Sequence, residues 1–170
     1  MGNTVSNYTI IRVTPTLSTD AYAQGDVLFT ATEIPNAVRG AGGCSLLMGA
    51  YVLDQADQNW DAYYVFSEGN TALGTINATA DINNANMEAL GLCGVTITDV
   101  TQASTIAAID TNRISQMISL GGTGEGFQPL TMLQAAAGST SVYVQAVIRE
   151  ETPTFAAVDD IDLILHIQYR

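Results

Sequence analysis

Apolar side chains fall on every second position in two segments near the C-terminus: Ile161, Leu163, Leu165, Ile167 and Tyr169, and upstream Val142, Val144, Ala146 and Ile148. Successive side chains of a strand point to opposite faces. This period therefore places one face of each segment in a core and turns Asp160, Asp162, His166 and Gln168 outward. A chain written this way is committed to β-sheet.

The same reading places strands over Tyr8 to Thr14, ended by Pro15, and over Val27 to about Glu33. From Cys44 to Leu53 both faces are apolar, with Leu47, Tyr51 and Leu53 against Leu46, Met48 and Val52. That is the pattern of a strand covered on both sides at the centre of the fold. After the polar run Asp54 to Asp61 an aromatic strand, Ala62 to Ser67, returns, and the two read as a long hairpin. Asn83 as a cap, Met87 and Leu90 on one face and Gly91 as a stop predict a two-turn helix. Leu92 to Thr98, Thr105 to Ile109, Ile114 to Leu120 and Leu130 to Gln134 complete the set. Short strands divided by turn residues, without helical alternation, predict an all-β chain: an antiparallel β-sandwich or jelly roll with one short helix. Residues 8–170 form one domain in this reading, preceded by an N-terminal arm over residues 1–7.

The chain has no lysine, five arginines, one histidine and 17 acidic residues. Charged residues make up 13% of it, against about 25% in ordinary soluble domains. So sparse a set leaves neutral, partly apolar surface that is best understood as covered by partners. A net charge of −12 argues against nucleic acid, which requires cations to displace counterions from phosphates. No run of about eighteen apolar residues and no basic segment followed by an apolar stretch occurs, so neither a membrane span nor a secretory signal is expected.

Material for catalysis is thin. The lone imidazole, His166, lies on the outward register of its strand, so no base is placed to activate a nucleophile. The strings Asp54, Asp57, Asp61 and Asp159, Asp160, Asp162 lack the glycine and terminal glutamate of a calcium loop, and read as solvated acidic edges. Gly121 to Gly126 has no Lys-Ser/Thr ending and reads as a loop rather than a phosphate cradle. Cys44 and Cys93 sit in apolar runs and read as buried thiols, a disulfide being the alternative. Trp60 with Tyr63 or Tyr64 offers a sugar-stacking platform only in part, because the two tyrosines point to opposite faces; packing is the main reading. No enzyme, cofactor or metal site is expected.

Three stretches, L-S-T-D-A-Y-A-Q-G-D-V-L (Leu17 to Leu28), A-V-R-G-A-G-G-C-S-L-L-M-G-A-Y-V-L-D (Ala37 to Asp54) and V-I-R-E-E-T-P-T-F-A-A-V-D-D-I-D-L (Val147 to Leu163), together with Val65-Phe66, the Asn83-capped helix and Gly94-Val95, resemble a family of small structural proteins of tailed bacteriophages. The chain departs from that pattern at Phe155, where tyrosine is common, and by an extra acidic residue in Arg149-Glu150-Glu151. The resemblance implies a capsid decoration, or cement, protein. It would be made in the host cytoplasm and bound to the outer capsid surface of the virion, with the major capsid protein and further copies of itself, as a homotrimer, as partners. A carbohydrate-binding sandwich and a head-fibre or tail component are the alternatives. Chain ends are mobile unless tied down, so Asn3, Val5, Asn7 and Tyr8 are the first candidates for capsid or subunit contact, by addition to a neighbour's sheet edge. Glu125 and Phe127 in the glycine-rich loop are the second.

Overall fold

The computed structural model describes residues 7–99, 105–109, 112–119 and 131–170. In chain order the elements are β1 (Tyr8–Val13), β2 (Val27–Ile34), β3 (Cys44–Asp54), β4 (Asp61–Ser67), α1 (Asn84–Leu90), β5 (Leu92–Ile97), β6 (Thr105–Ile109), β7 (Asn112–Gln116), β8 (Ile118–Ser119), β9 (Thr131–Gln134), β10 (Val142–Glu150) and β11 (Ile161–Tyr169). They form two antiparallel sheets in a sandwich. The six-stranded sheet runs β1-β11-β3-β7-β6, with β9 beside the start of β3; the five-stranded sheet runs β2-β10-β4-β5-β8.

The alternation that predicted β10 and β11 also builds the core. Val142, Val144, Ala146 and Ile148 face Leu163, Leu165 and Ile167 across the sandwich, joined by Phe29, Leu47, Val52, Tyr64, Phe66 and Trp60, all buried. The single helix forms where its end signals stand. The Asn83 side chain accepts from the Asn86 N–H at 2.9 Å, and Gly91 closes the helix in the left-handed region at φ 62°.

Several expectations are corrected. β3 and β4 are not a hairpin: β3 pairs with β11, β7 and β9, whereas β4 pairs with β10 and β5, so the chain crosses between sheets through residues 55–60. Asp54 shapes that crossing. Its carboxylate accepts from the N–H groups of Ala56 and Gln58 and from Trp60 Nε1, at 2.8, 2.9 and 2.8 Å, which pulls the indole into the core. The single strand expected over Ile114 to Leu120 is likewise, up to Ser119, two strands in two sheets divided at the buried Met117, Leu120 lying outside the described residues.

Among the described residues β3 sends one face into the core, whereas the strand with both faces in buried clusters is β10. Its outward Gln145 is fully buried because it accepts from the Leu73 N–H at 2.9 Å and donates to the Thr71 carbonyl at 3.0 Å, and Val147 packs with Leu73, Val65 and Leu90 under the helix. β3 is central within its sheet, but a bulge alters its faces. His166 pairs with Gly49 and Ile167 with Leu47, leaving Met48 as the extra residue. Leu47 thus joins Val52 in the core, while Leu46, Tyr51 and Leu53 come to share the outer face.

Candidate interaction surface

That outer face is assembled by register. β11 lies between β1 and β3, so Ile10 stands beside His166 and Ile164 beside Tyr51, and Leu53, Leu46, Ile114 and Met132 extend the same side across β3, β7 and β9. Ile10 and Met132 are each 57% exposed and Tyr8 is 44% exposed. Leu46, Met48, Tyr51, Leu53, Ile114 and Ile164 are half-buried, and none of them belongs to either buried cluster.

Within β1, β3, β7, β9 and β11 the charged side chains that register places on this side are Arg12 and Asp162. Arg12 donates to the Asp162 carboxylate, which also accepts from Thr14 Oγ1 and from Gln55 Nε2. Asp162 is 2% exposed, although its register points it outward, because these donors cover it. The hydrogen bond from Arg12 holds its carboxyl below the usual carboxylate range, with Thr14 acting in the same direction against the opposing effect of burial. The ion pair is neutral as a whole, so these strands add no net charge of their own to this side.

His166 sits in an aromatic frame rather than in open solvent. Its ring meets Tyr51 and Tyr8 edge-on, with centroids 5.5 and 5.8 Å apart, and its Nδ1 is hydrogen-bonded to the Tyr8 hydroxyl. Asn7 is exposed, but it is fixed at both ends: its carbonyl accepts from the Tyr169 N–H at 2.7 Å and its side chain from Arg39 at 3.0 Å. Of the residues singled out as contacts, Asn7 and Tyr8 therefore lie together at the rim of the face. Asn3, Val5, Glu125 and Phe127 lie outside the described residues. Ile10, Tyr51, Ile164 and Met132 were not singled out, although the assignment of Ile10 to the face of Tyr8 and Arg12 was already legible in the alternation.

The remaining candidates dissolve into structure. Trp60 is 4% exposed and Tyr64 fully buried, which removes the sugar-stacking platform and leaves Tyr63 alone at the surface. Burial pushes the Tyr64 phenol up and the Asp54 carboxyl up. Asp160 accepts from the N–H groups of Ala156 and Ala157, Asp57 pairs with Arg113 at 3.2 Å, and among the described residues no three potential metal ligands converge. Cys44 and Cys93 are free thiols, half-buried rather than fully buried, and burial raises the pKa of Cys93. A second apolar concavity of about 640 Å³ lies on the outer side of the five-stranded sheet between Tyr63, Val95, Val147, Ile82 and Met87. Arg149 on its rim is already held by Asp99 and Glu150, at 3.5 and 3.3 Å.

In comparisons with known proteins, no family model, curated protein or solved structure matches this chain.

Proposed function

We propose that this chain is a virion structural protein of decoration type, binding the outside of a phage capsid and stabilising the seams between capsomers. The observation that carries the reading is the outer face of the six-stranded sheet: apolar residues of β1, β3, β7, β9 and β11 lie in one plane, their charge reduced to the Arg12–Asp162 pair. A monomer gains nothing from keeping such a face wet, whereas each apolar group covered by a partner contributes roughly 25 cal/mol per Å² removed from water. The resemblance of the three sequence stretches to phage structural proteins supplies the nature of the partner, a protein shell.

Cementing then follows from mass action. A ligand that binds the assembled shell and not its dispersed subunits stabilises assembly by RT ln(1 + [L]/Kd). Many weak footprints on one particle act together through effective concentration, so no single strong site is required. Such work needs adhesion, and the residues of this face provide adhesion rather than turnover.

The test is co-sedimentation with assembled, undecorated shells of the phage that carries the gene, and in parallel with its dispersed capsid subunits. Saturable binding to the shells alone is expected. Failure to bind shells, or equal binding to both, would remove the reading.

A further inference from the structure

Five strands have one partner strand, β1, β6 and β9 in one sheet and β2 and β8 in the other, and four of them are blunted in ways that discourage pairing with another chain. β2 carries two register shifts against β10 and is flanked by residues 76–79, whose backbone bonds to Val27 on both its N–H and its carbonyl. β6 is bulged against β7, β8 is two residues long, and β9 is four residues long with Thr131 Oγ1 donating to the Cys93 carbonyl of β5. β1 has none of these devices. It holds an unbroken register with β11 from Tyr8↔Gln168 to Val13↔Leu163, contains neither proline nor lysine, and neutralises its one charge, Arg12, against Asp162.

The hydrogen-bond phase of β1 can be read from one contact. Tyr169 donates to the carbonyl of Asn7, its partner in register, so the pair 7–169 is a hydrogen-bonded one. Such pairs recur at every second residue of an antiparallel ladder. Thr9, Ile11 and Val13 therefore face β11 with their N–H and C=O groups, and Ile10 and Arg12 direct theirs to the opposite edge. Among the described residues no strand pairs with that edge.

We propose that β1 pairs antiparallel with β1 of a second copy of this chain, about a twofold axis that sets Ile10 opposite Ile10. Only a register in which edge-facing residues oppose one another closes the ladder, and centring it on Ile10 gives the longest overlap. The same axis keeps both outer faces on one side, so two six-stranded sheets become one continuous apolar surface. Charge favours a like partner at this edge: copies carrying −12 each repel wherever carboxylates meet, and this neutral edge permits close approach. The pairing does not depend on what the joined copies bind.

The test is mass in solution by light scattering across a dilution series, for the full chain and two variants. The wild type is expected at twice the 17.9 kDa chain mass. Ile10→Pro deletes an edge-facing N–H while sparing the bonds to β11, and should halve the mass with the circular dichroism spectrum unchanged. Ile10→Lys, which sets like charges opposite each other at the axis and alters no backbone group, should do the same, and it decides the matter if the proline variant does not fold. A wild type that is a single chain or the threefold assembly expected from the sequence would overturn the proposal. So would a folded Ile10→Lys that keeps twice the chain mass.

Discussion

Tyr8 and His166 are bonded through the phenol oxygen and Nδ1, and this contact ties the edge strand to its neighbour on the outer side of the sheet, 158 residues apart in sequence. In neutral His166 the direction follows the tautomer: with the ring proton on Nε2, Nδ1 accepts from the hydroxyl, and with the proton on Nδ1 the phenol oxygen accepts.

Replacing Tyr8 by Phe should therefore keep the fold and lower stability by about 1 kcal/mol, the usual net value of one hydrogen bond. Nitrogen-15 shifts of the neutral imidazole should show one tautomer predominating in the wild type and a changed balance in the variant. An unchanged tautomer would place the cause elsewhere.

Asp54 holds two backbone donors and the indole of the only tryptophan. Asp54→Ala leaves those donors without a partner inside the sandwich and should cost about 3 kcal/mol or more. Because Trp60 is the sole indole, its emission reports the loop directly. A red shift under native conditions is expected for Asp54→Ala, and a smaller stability loss without the shift for Asp54→Asn.

Acid titration should separate Asp54 from Asp162. Arg12 keeps the folded carboxyl of Asp162 below its ordinary value of about 3.9. Its contribution is complete above that value and disappears as pH falls through it towards the folded value. Burial raises Asp54 instead, so its ionisation opposes folding, and stability declines as pH rises through the interval between its ordinary and folded values. Denaturation midpoints followed from about pH 6 to about pH 3 should show a shallower acid loss for Asp162→Asn than for the wild type.

Gly94 of β5 passes so close to β9 that an added Cβ would lie 2.1 Å from Thr131 Oγ1 and 2.9 Å from Thr131 Cβ. Gly94→Ala should destabilise the fold by roughly 1–3 kcal/mol, the range for overpacking. Thr131→Ala removes the nearest atom, and the double variant should recover part of the loss in a double-mutant cycle. Strict additivity would show that the two strands do not press on each other there.

Local rules made the elements legible, and long-range pairing was not among them. Val142 to Ile148 and Ile161 to Ile167 announced their strands by alternation, and Asn83 and Gly91 announced the helix by its ends. The same alternation misassigned β3, because the extra residue Met48 reverses the phase midway and no composition marks a bulge. Nor did proximity in sequence give the pairing of β3. Residues 55–60 look like a hairpin loop, and only the bonds from Ala56, Gln58 and Trp60 to Asp54 show them stepping between sheets. Asp162 read as exposed because its register is outward, while its covering donors Arg12 and Gln55 lie 150 and 107 residues away. The apolar outer face was hidden for the same reason. Two-sided apolar writing in β3 is what a doubly covered strand looks like, and among the described residues only one side of β3 enters a buried cluster.

The measurement nearest to the central claim compares shell occupancy for two charge insertions on opposite sides of the sandwich. Ile164→Glu places a carboxylate beside Tyr51 at the centre of the outer face, and Ile82→Glu places one at a residue 59% exposed near α1. With the fold of both verified by Trp60 emission, Ile164→Glu should lose at least about tenfold in affinity for assembled shells, a cost of about 1.4 kcal/mol, and Ile82→Glu should bind as the wild type does. Equal occupancy for the two variants, or a loss confined to Ile82→Glu, would contradict the assignment of adhesion to the six-stranded sheet.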